Sequence, residues 1–351
     1  MEISTPGRIC LFGEHQDYLG LPVVSMAISL RVNIVGEKRQ DRKIVIHKPD
    51  LKETETFSLD NLDYTNNRDY FKSGIRICQR MGISFVNGVE CEIKSKIPFQ
   101  AGTSSSSAIV VGWINFLAQL VDPPPKWSTK KIGELAYLAE SVEFGEPGGM
   151  MDQYTTACGG LLKIESEPNV SLQKIESKLG SFVLGDSCEP KKTLEILDRC
   201  KNLRMNILDK LTSVNPNFDL HTSTCEEDIS CLDKEEQSLF YATLKNRDIL
   251  ERSLIELRKE KIDHQYIGDL LNQEHEILRD DLNVSTNKIE SMLSASLSAG
   301  AFGGKINGSG GGGCMFAYAP KNSEAVASAI ESVGGRAYII GKDEGTKILS
   351  R

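Results

Sequence analysis

The 351-residue chain has no apolar run long enough to span a bilayer, and Met1-Glu2-Ile3-Ser4 lacks the basic-then-apolar pattern of a secretory leader. A soluble, cytoplasmic protein without membrane partners is the expectation. The nine cysteines stand singly, odd in number and without a Cys-x-x-Cys pair, which predicts reduced thiols. The five histidines make no metal-ligand spacing, so a zinc site is not expected, and any metal should arrive with a phosphate ligand. Basic charge is not in excess: 41 Lys and Arg against 49 Asp and Glu leave a net −8, which disfavours a broad nucleic-acid surface but leaves room for a local basic pocket. Aromatics are few, at 7%, yet 40% hydrophobic and 26% charged residues are those of an ordinary globular protein. No internal repeat is visible. Small-molecule partners are expected, with the oligomeric state, monomer or homodimer, left open. At this length two medium domains are favoured over one.

What the chain does have is a serine-led helix. Residues 98–108 read Pro-Phe-Gln-Ala-Gly-Thr-Ser-Ser-Ser-Ser-Ala, and Ile109, Trp113, Phe116, Leu117 and Leu120 follow at helical spacing. A helix beginning among those serines offers unpaired amides and a positive dipole end to an anion, and Gly102 allows close backbone approach. The same run is also what an N-cap beside a polar loop looks like.

Three other loops carry unusual chemistry. Gly13-Glu14-His15-Gln16-Asp17-Tyr18 follows a short apolar segment at 8–12 and crowds acceptors and a donor into four residues, which suits a polyhydroxylated ligand or, equally, a solvated turn. A tight turn at 145–153 sets Asp152 among small and apolar residues, either as a carboxylate oriented to accept an alcohol's proton or as an N-cap. Gly310 to Gly313 are four consecutive glycines. That run is costly in backbone entropy, and it marks either close backbone approach or a hinge.

Strands are expected over 8–12, 23–35, 43–47, 54–59, 89–97, 160–164, 181–186, 315–318 and 336–341. Helices are expected over 70–81 with a glycine C-cap at Gly82, over 129–144, and over 191–211, 234–258, 264–280, 286–299 and 322–333. The polar segment 214–231 reads as a mobile loop. The shift to charged, helix-rich sequence near Pro190 places a domain boundary there, giving 1–189 and 190–351.

Together and in order, these loops resemble the three motifs of the GHMP kinases, the superfamily of galactokinase, homoserine, mevalonate and phosphomevalonate kinases. Pro6-Gly7-Arg8 with Gly13 to Tyr18 is most similar to the galactokinase signature, in which Thr is usual where Gln16 stands. The stretch 98–108 resembles the phosphate-binding motif, with Thr103 where Leu is common, and 305–313 resembles the glycine-rich one. The stretches 147–153 and 272–285, the latter with His275 and Leu278-Arg279-Asp280, also favour the galactokinase branch.

The resemblance implies an α+β, two-domain fold with an N-terminal half like ribosomal protein S5 domain 2 and a ferredoxin-like C-terminal half, the active site lying between them. It implies transfer of the γ-phosphoryl of Mg-ATP to a sugar hydroxyl, galactose C1-OH being the first candidate. Asp152 and Arg8 would be catalytic, and Glu14, His15, Asp17, Gly149 and Asp152 would bind the sugar. Gly102, Thr103, Ser104, Ser105, Ser106, Ser107, Gly308, Gly310 and Gly311 would hold ATP, and Ser106 and Glu140 would hold Mg²⁺. The sugar-contacting Tyr that galactokinases carry after the strand corresponding to 181–186 is absent from 187–200, and the glycine segment is also similar to heptose kinases. The alternatives are thus a heptose or other GHMP substrate, or a non-catalytic sensor that binds sugar and ATP.

Overall fold

The computed structural model describes residues 1–99, 102–146, 148–190 and 193–350; Gln100 and Ala101 of the serine loop, Pro147 of the acid-bearing turn and Lys191, an expected helix start, lie outside them. The chain opens with β1 (Glu2–Phe12), β2 (Val23–Lys38), β3 (Lys43–Lys48), β4 (Glu53–Ser58), α1 (Tyr70–Arg80) and β5 (Val89–Ser95). Next come α2 (Ser105–Leu120), α3 (Thr129–Tyr137), α4 (Met151–Cys158), β6 (Leu161–Glu165), β7 (Ser171–Lys174) and β8 (Phe182–Asp186). The rest is α5 (Thr193–Val214), α6 (Lys234–Leu257), α7 (His264–Glu276), α8 (Asn287–Ser298), β9 (Gly303–Ile306), β10 (Cys314–Tyr318), α9 (Ser323–Ser332), β11 (Arg336–Ile340) and β12 (Lys347–Ser350).

Two sheets organise these elements. The first runs β12-β1-β2-β5-β3-β4, with β6 and β7 attached beside β2. Strand β2 is long enough to pair β6 through Val23–Met26 and β5 through Val32–Lys38, so it links the two parts of the sheet. Helix α2 packs on this sheet with Gly112 against Thr5 and Ile34, and its fully buried Trp113 meets Phe71 and Gly74 of α1; burial of Phe116 and Leu117 contributes about 1.5–3 kcal/mol each. The second sheet runs β11-β8-β10-β9, all antiparallel. In chain order that is 4-1-3-2 with helices between strands one and two and between three and four, which is the expected ferredoxin-like arrangement.

The sheets do not divide the chain at residue 190. Strand β8, which precedes that point, belongs to the second sheet, while β12 returns to pair with β1 in the first.

Three expectations need correction. The helix expected over 129–144 is α3 only as far as Tyr137, after which the backbone widens into a π turn at Leu138–Val142, and α7 passes into a second such turn at Ile277–Asp281. Strands β7, β9 and β12 were not anticipated; β9 is written Gly-Gly-Lys-Ile, a composition that reads as loop. The segment expected to be a mobile loop buries Leu220 and Ile229 with Leu19, Leu21, Ile207 and Phe240, so it braces the Glu14 loop from behind. Among the described residues no helix is long and apolar enough to cross a membrane.

Candidate active site

Strand β1 shifts register between Pro6 and Arg8, and the bulge turns Arg8 toward the serine loop. Gly7 sits at that bulge with the Thr103 carbonyl 2.9 Å from where a Cβ would be, so only glycine lets the loop approach this closely. Arg8 is 4% exposed and grips Asp152 with two parallel bonds, Nε to Oδ1 at 2.6 Å and Nη2 to Oδ2 at 2.7 Å. Its Nη1 donates to the Gly102 carbonyl at 2.6 Å, which also accepts from Asn307 Nδ2 at 2.7 Å. One carbonyl thus ties together the β1 cation, the serine loop and the glycine loop. Asp152 is not an N-cap; it is the second residue of α4, whose N-cap is Met150.

Helix α2 begins at Ser105, as expected. Ser104 is in the left-handed region, φ 58° and ψ 42°, and its side chain does not cap the helix. The hydroxyls of Thr103, Ser104 and Ser105 are buried without a partner, at a place where buried polar groups ordinarily find one. Of these, Ser104 and Ser105 line the cleft, and two unpaired hydroxyls beside a helix N-terminus fit the oxygens of a phosphate.

Glu140 projects from the π turn, a helix defect common at functional sites. Its Oε2 accepts from Gln153 Nε2 at 2.7 Å. Burial pushes its carboxyl up to about 7, against hydrogen bonds from Gln153, Ser106 and Ser107 that favour the ionised form.

Glu14 is 3% exposed and anchored from the second half of the chain: its Oε2 accepts from Lys305 Nζ at 3.0 Å and from the Gly308 amide at 2.9 Å. Glu274 on α7 accepts from the Glu14 amide at 2.9 Å and lies 3.7 Å from Lys305 Nζ. Asp17 is half-buried, with Oδ1 accepting from the Tyr18 amide at 3.0 Å. Burial, then Asp152 and Glu14, raise its carboxyl to about 6.

These groups surround one cleft of about 950 Å³. Arg8, Glu14, His15, Asp17, Gly102, Ser104 to Ser107, Glu140, Gly149, Asp152 and Gly308 all line it, as the sequence led one to expect. Thr103 lies behind the wall, fully buried. Gly310 and Gly311, expected at the nucleotide, do not line the cleft; they pack against Val284 and Ile196, where a Cβ would come within 2.5 and 2.1 Å. The sequence reading missed Tyr18, Gln153, Arg204, Glu274, Asn307 and Ser309. Gln153 and Asn307 sit inside recognised motifs and could have been found there, whereas Arg204 and Glu274 lie on amphipathic helices with nothing local to mark them.

A cleft walled by a helix N-terminus with unpaired hydroxyls, and containing an arginine-clamped carboxylate, has room for a phosphate beside a group that can accept a hydroxyl's hydrogen bond. The chain matches the GHMP kinases N terminal domain over residues 69–160, the GHMP kinases C terminal domain over 253–338 and the galactokinase galactose-binding signature over 2–38. It is 31% identical to a mevalonate kinase of Thermococcus onnurineus, over 98% of this chain and 97% of that protein. It is 28% identical to a galactokinase of Enterococcus faecalis, over 94% and 87%. The crystal structure of Lactococcus lactis galactokinase complexed with galactose superposes with a TM-score of 0.83, at 20% identity over 99% of this chain and 95% of that one. The chain belongs to the GHMP kinases, and its fold is the two-domain α+β fold of that family.

Proposed function

We propose that this kinase transfers the γ-phosphoryl of ATP to a hydroxyl of an uncharged sugar, galactose and its C1 hydroxyl being the first candidate. One observation carries the choice of acceptor. Among the described residues, each lysine and arginine lining the cleft is already paired with a carboxylate: Arg8 with Asp152, Lys48 with Glu55 and Arg68 with Glu146. Of the acids at the acceptor end, Asp152 and Glu14 are matched by Arg8 and Lys305, and Asp17 adds a carboxylate with no ion-pair partner among the described residues. A carboxylate-bearing acceptor entering there loses hydration and meets like charge, whereas sugar hydroxyls donate to those same oxygens.

In this reading Asp152 receives the hydrogen bond of the attacking hydroxyl, and Arg8 fixes its orientation and offers positive charge to the group in transfer. The amides and hydroxyls of residues 102–107, with Gly308, hold the phosphates. The buried oxygens of Glu140 and the Ser106 hydroxyl fit an oxygen-preferring divalent ion, and these two residues would hold Mg²⁺. Held there, the ion would supply positive charge to offset the charge that develops on the phosphoryl group in transfer. The chain would divide functionally near residue 190, the first part carrying the acceptor and phosphate loops and the second the glycine loop.

A second reading also has support: six relatives from Thermococcus and Pyrococcus, at 29–31% identity, are called mevalonate kinases. The two separate in one experiment, ADP release with Mg-ATP across galactose, galactosamine, glucose, mannose, arabinose, fucose, glucuronate, heptoses and mevalonate. Turnover of a neutral sugar is the expected result. Turnover of mevalonate alone would overturn the charge argument. Binding of sugar and ATP without product would favour a sensor.

A further inference from the structure

Behind the acceptor end of the cleft, four groups form one directed chain of hydrogen bonds. Arg204 on α5 is 3% exposed and stands behind the cleft wall. Its guanidinium lies 5.2 Å over the Tyr18 ring, its Nε donates to the Cys200 carbonyl at 3.1 Å, and its Nη2 donates to the Tyr18 phenolic oxygen. A guanidinium only donates, so the Tyr18 oxygen accepts from it and directs its own hydrogen to His15 Nδ1, 3.0 Å away. On the other side of the ring, Nε2 lies 3.2 Å from the Ser309 carbonyl. A carbonyl only accepts, so Nε2 carries the hydrogen. Every donor in the series Arg204, Tyr18, His15, Ser309 therefore points the same way. The imidazole, 4% exposed, has both nitrogens committed inside the protein.

The structure assigns His15, Tyr18 and Arg204 a positioning role: they lock the loop that carries Asp17 to the loop that carries Ser309, and the His15 ring does not itself hydrogen-bond the acceptor. Three segments distant in sequence are coupled through one imidazole. His15 has φ +62°, a conformation that is strained for a non-glycine residue and persists where surrounding contacts over-determine it. The two ring bonds are such contacts. The groups facing the ring agree with a neutral imidazole: burial foremost, then Arg204 from α5, push His15 down to about 3, with Lys305 of β9 adding to this and Glu14 of its own loop opposing it. The consequence is geometric. Asp17 lies between His15 and Tyr18 in the chain, so slack in either bond moves the carboxylate that faces the acceptor.

The kinetic arm of the test rests on the kinase reading above; the spectroscopic arm does not. Long-range proton–nitrogen spectra of the full chain labelled with ¹⁵N report the tautomer of each histidine, and the His15→Gln variant identifies the His15 signals. The expected result is an Nε2–H tautomer that stays neutral from pH 8 to pH 5. In Arg204→Met the His15 midpoint should rise by about one unit or more, and Arg204→Lys should recover part of that shift. Tyr18→Phe, which deletes one hydroxyl and keeps the ring, should weaken the tautomer preference. It should also lower kcat/KM for the acceptor about tenfold through KM, while KM for ATP stays within about twofold. An Nδ1–H tautomer, a His15 midpoint unmoved in Arg204→Met, or an unchanged acceptor KM in Tyr18→Phe would each overturn the assignment. Should Arg204→Met not fold, Tyr18→Phe alone decides the matter. Should no acceptor be turned over, the kinase reading fails while the tautomer and titration still judge the relay.

Discussion

The carboxylate of Asp17 lies against the backbone of Gly149 so closely that a Cβ on Gly149 would stand 1.8 Å from Asp17 Oδ2. No side-chain rearrangement smaller than moving Asp17 itself makes room for a methyl group. Gly149→Ala should therefore raise the acceptor KM at least about tenfold, with KM for ATP little changed. Initial rates with each substrate varied in turn provide the check, and equal losses for both substrates would mean that the turn as a whole had collapsed.

The bidentate contact of Arg8 with Asp152 is what Asp152→Asn probes: the amide keeps the shape, loses the charge and, having one acceptor oxygen, keeps only one of the two bonds from Arg8. Turnover should fall at least about a hundredfold while binding of acceptor and nucleotide, followed by calorimetry, largely survives. Comparable turnover would remove Asp152 from the reaction.

Acid should weaken the acceptor site. With its carboxyl raised to about 6 by burial and by Asp152 and Glu14, Asp17 is protonated as pH falls through that value and loses its capacity to accept at both oxygens. The acceptor KM should rise below about pH 6, and Asp17→Asn should have a high, flat KM across the same range. Stability moves in the opposite sense. Between the ordinary value of 3.8 and about 6 the folded state binds more protons at this group than the unfolded state, so this group's contribution to stability grows as pH falls across that window.

Lys305 is fully buried between two carboxylates, 3.0 Å from Glu14 and 3.7 Å from Glu274. Lys305→Met would leave those acids facing each other without a cation. Such a loss costs about 3–5 kcal/mol, readable as a lowered denaturation midpoint in urea. Adding Glu274→Gln should recover part of it; failure of both changes to move the midpoint would mean that the triad contributes nothing to stability.

Legibility followed how local each signal was. Helix α2 could be read because its apolar positions repeat within one segment, and Gly82 marked the end of α1 because a residue with φ +86° just past a helix favours glycine. Asp152, Arg8 and the serines were found because each sits in a compact motif, although none of those motifs says that Arg8 clamps Asp152 rather than merely standing near it. The π turn under Glu140 left no trace, since its residues have ordinary helical periodicity. The environment of Glu14 was invisible for another reason: its partners lie 291 residues away at Lys305 and 260 away at Glu274, a distance at which no local pattern operates. The four glycines were visible, but that two of them face Val284 and Ile196 rather than the cleft depends on where α5 and the segment after α7 pack.

The return of β12 to the edge of the first sheet has a consequence for the order of events in folding. The Thr5 and Thr346 hydroxyls meet at 2.9 Å across 341 residues of chain, and Ile3 pairs with Ile348. Until that far segment has been made and brought back, the strand bearing Arg8 presents an unpaired edge, the kind of surface on which chains join one another. A fragment ending near residue 190 would keep that edge permanently. Completion of the strand that carries Arg8 is thus tied to late, long-range closure of the chain, a slow kind of pairing and the point at which a nascent molecule is most exposed to misassembly.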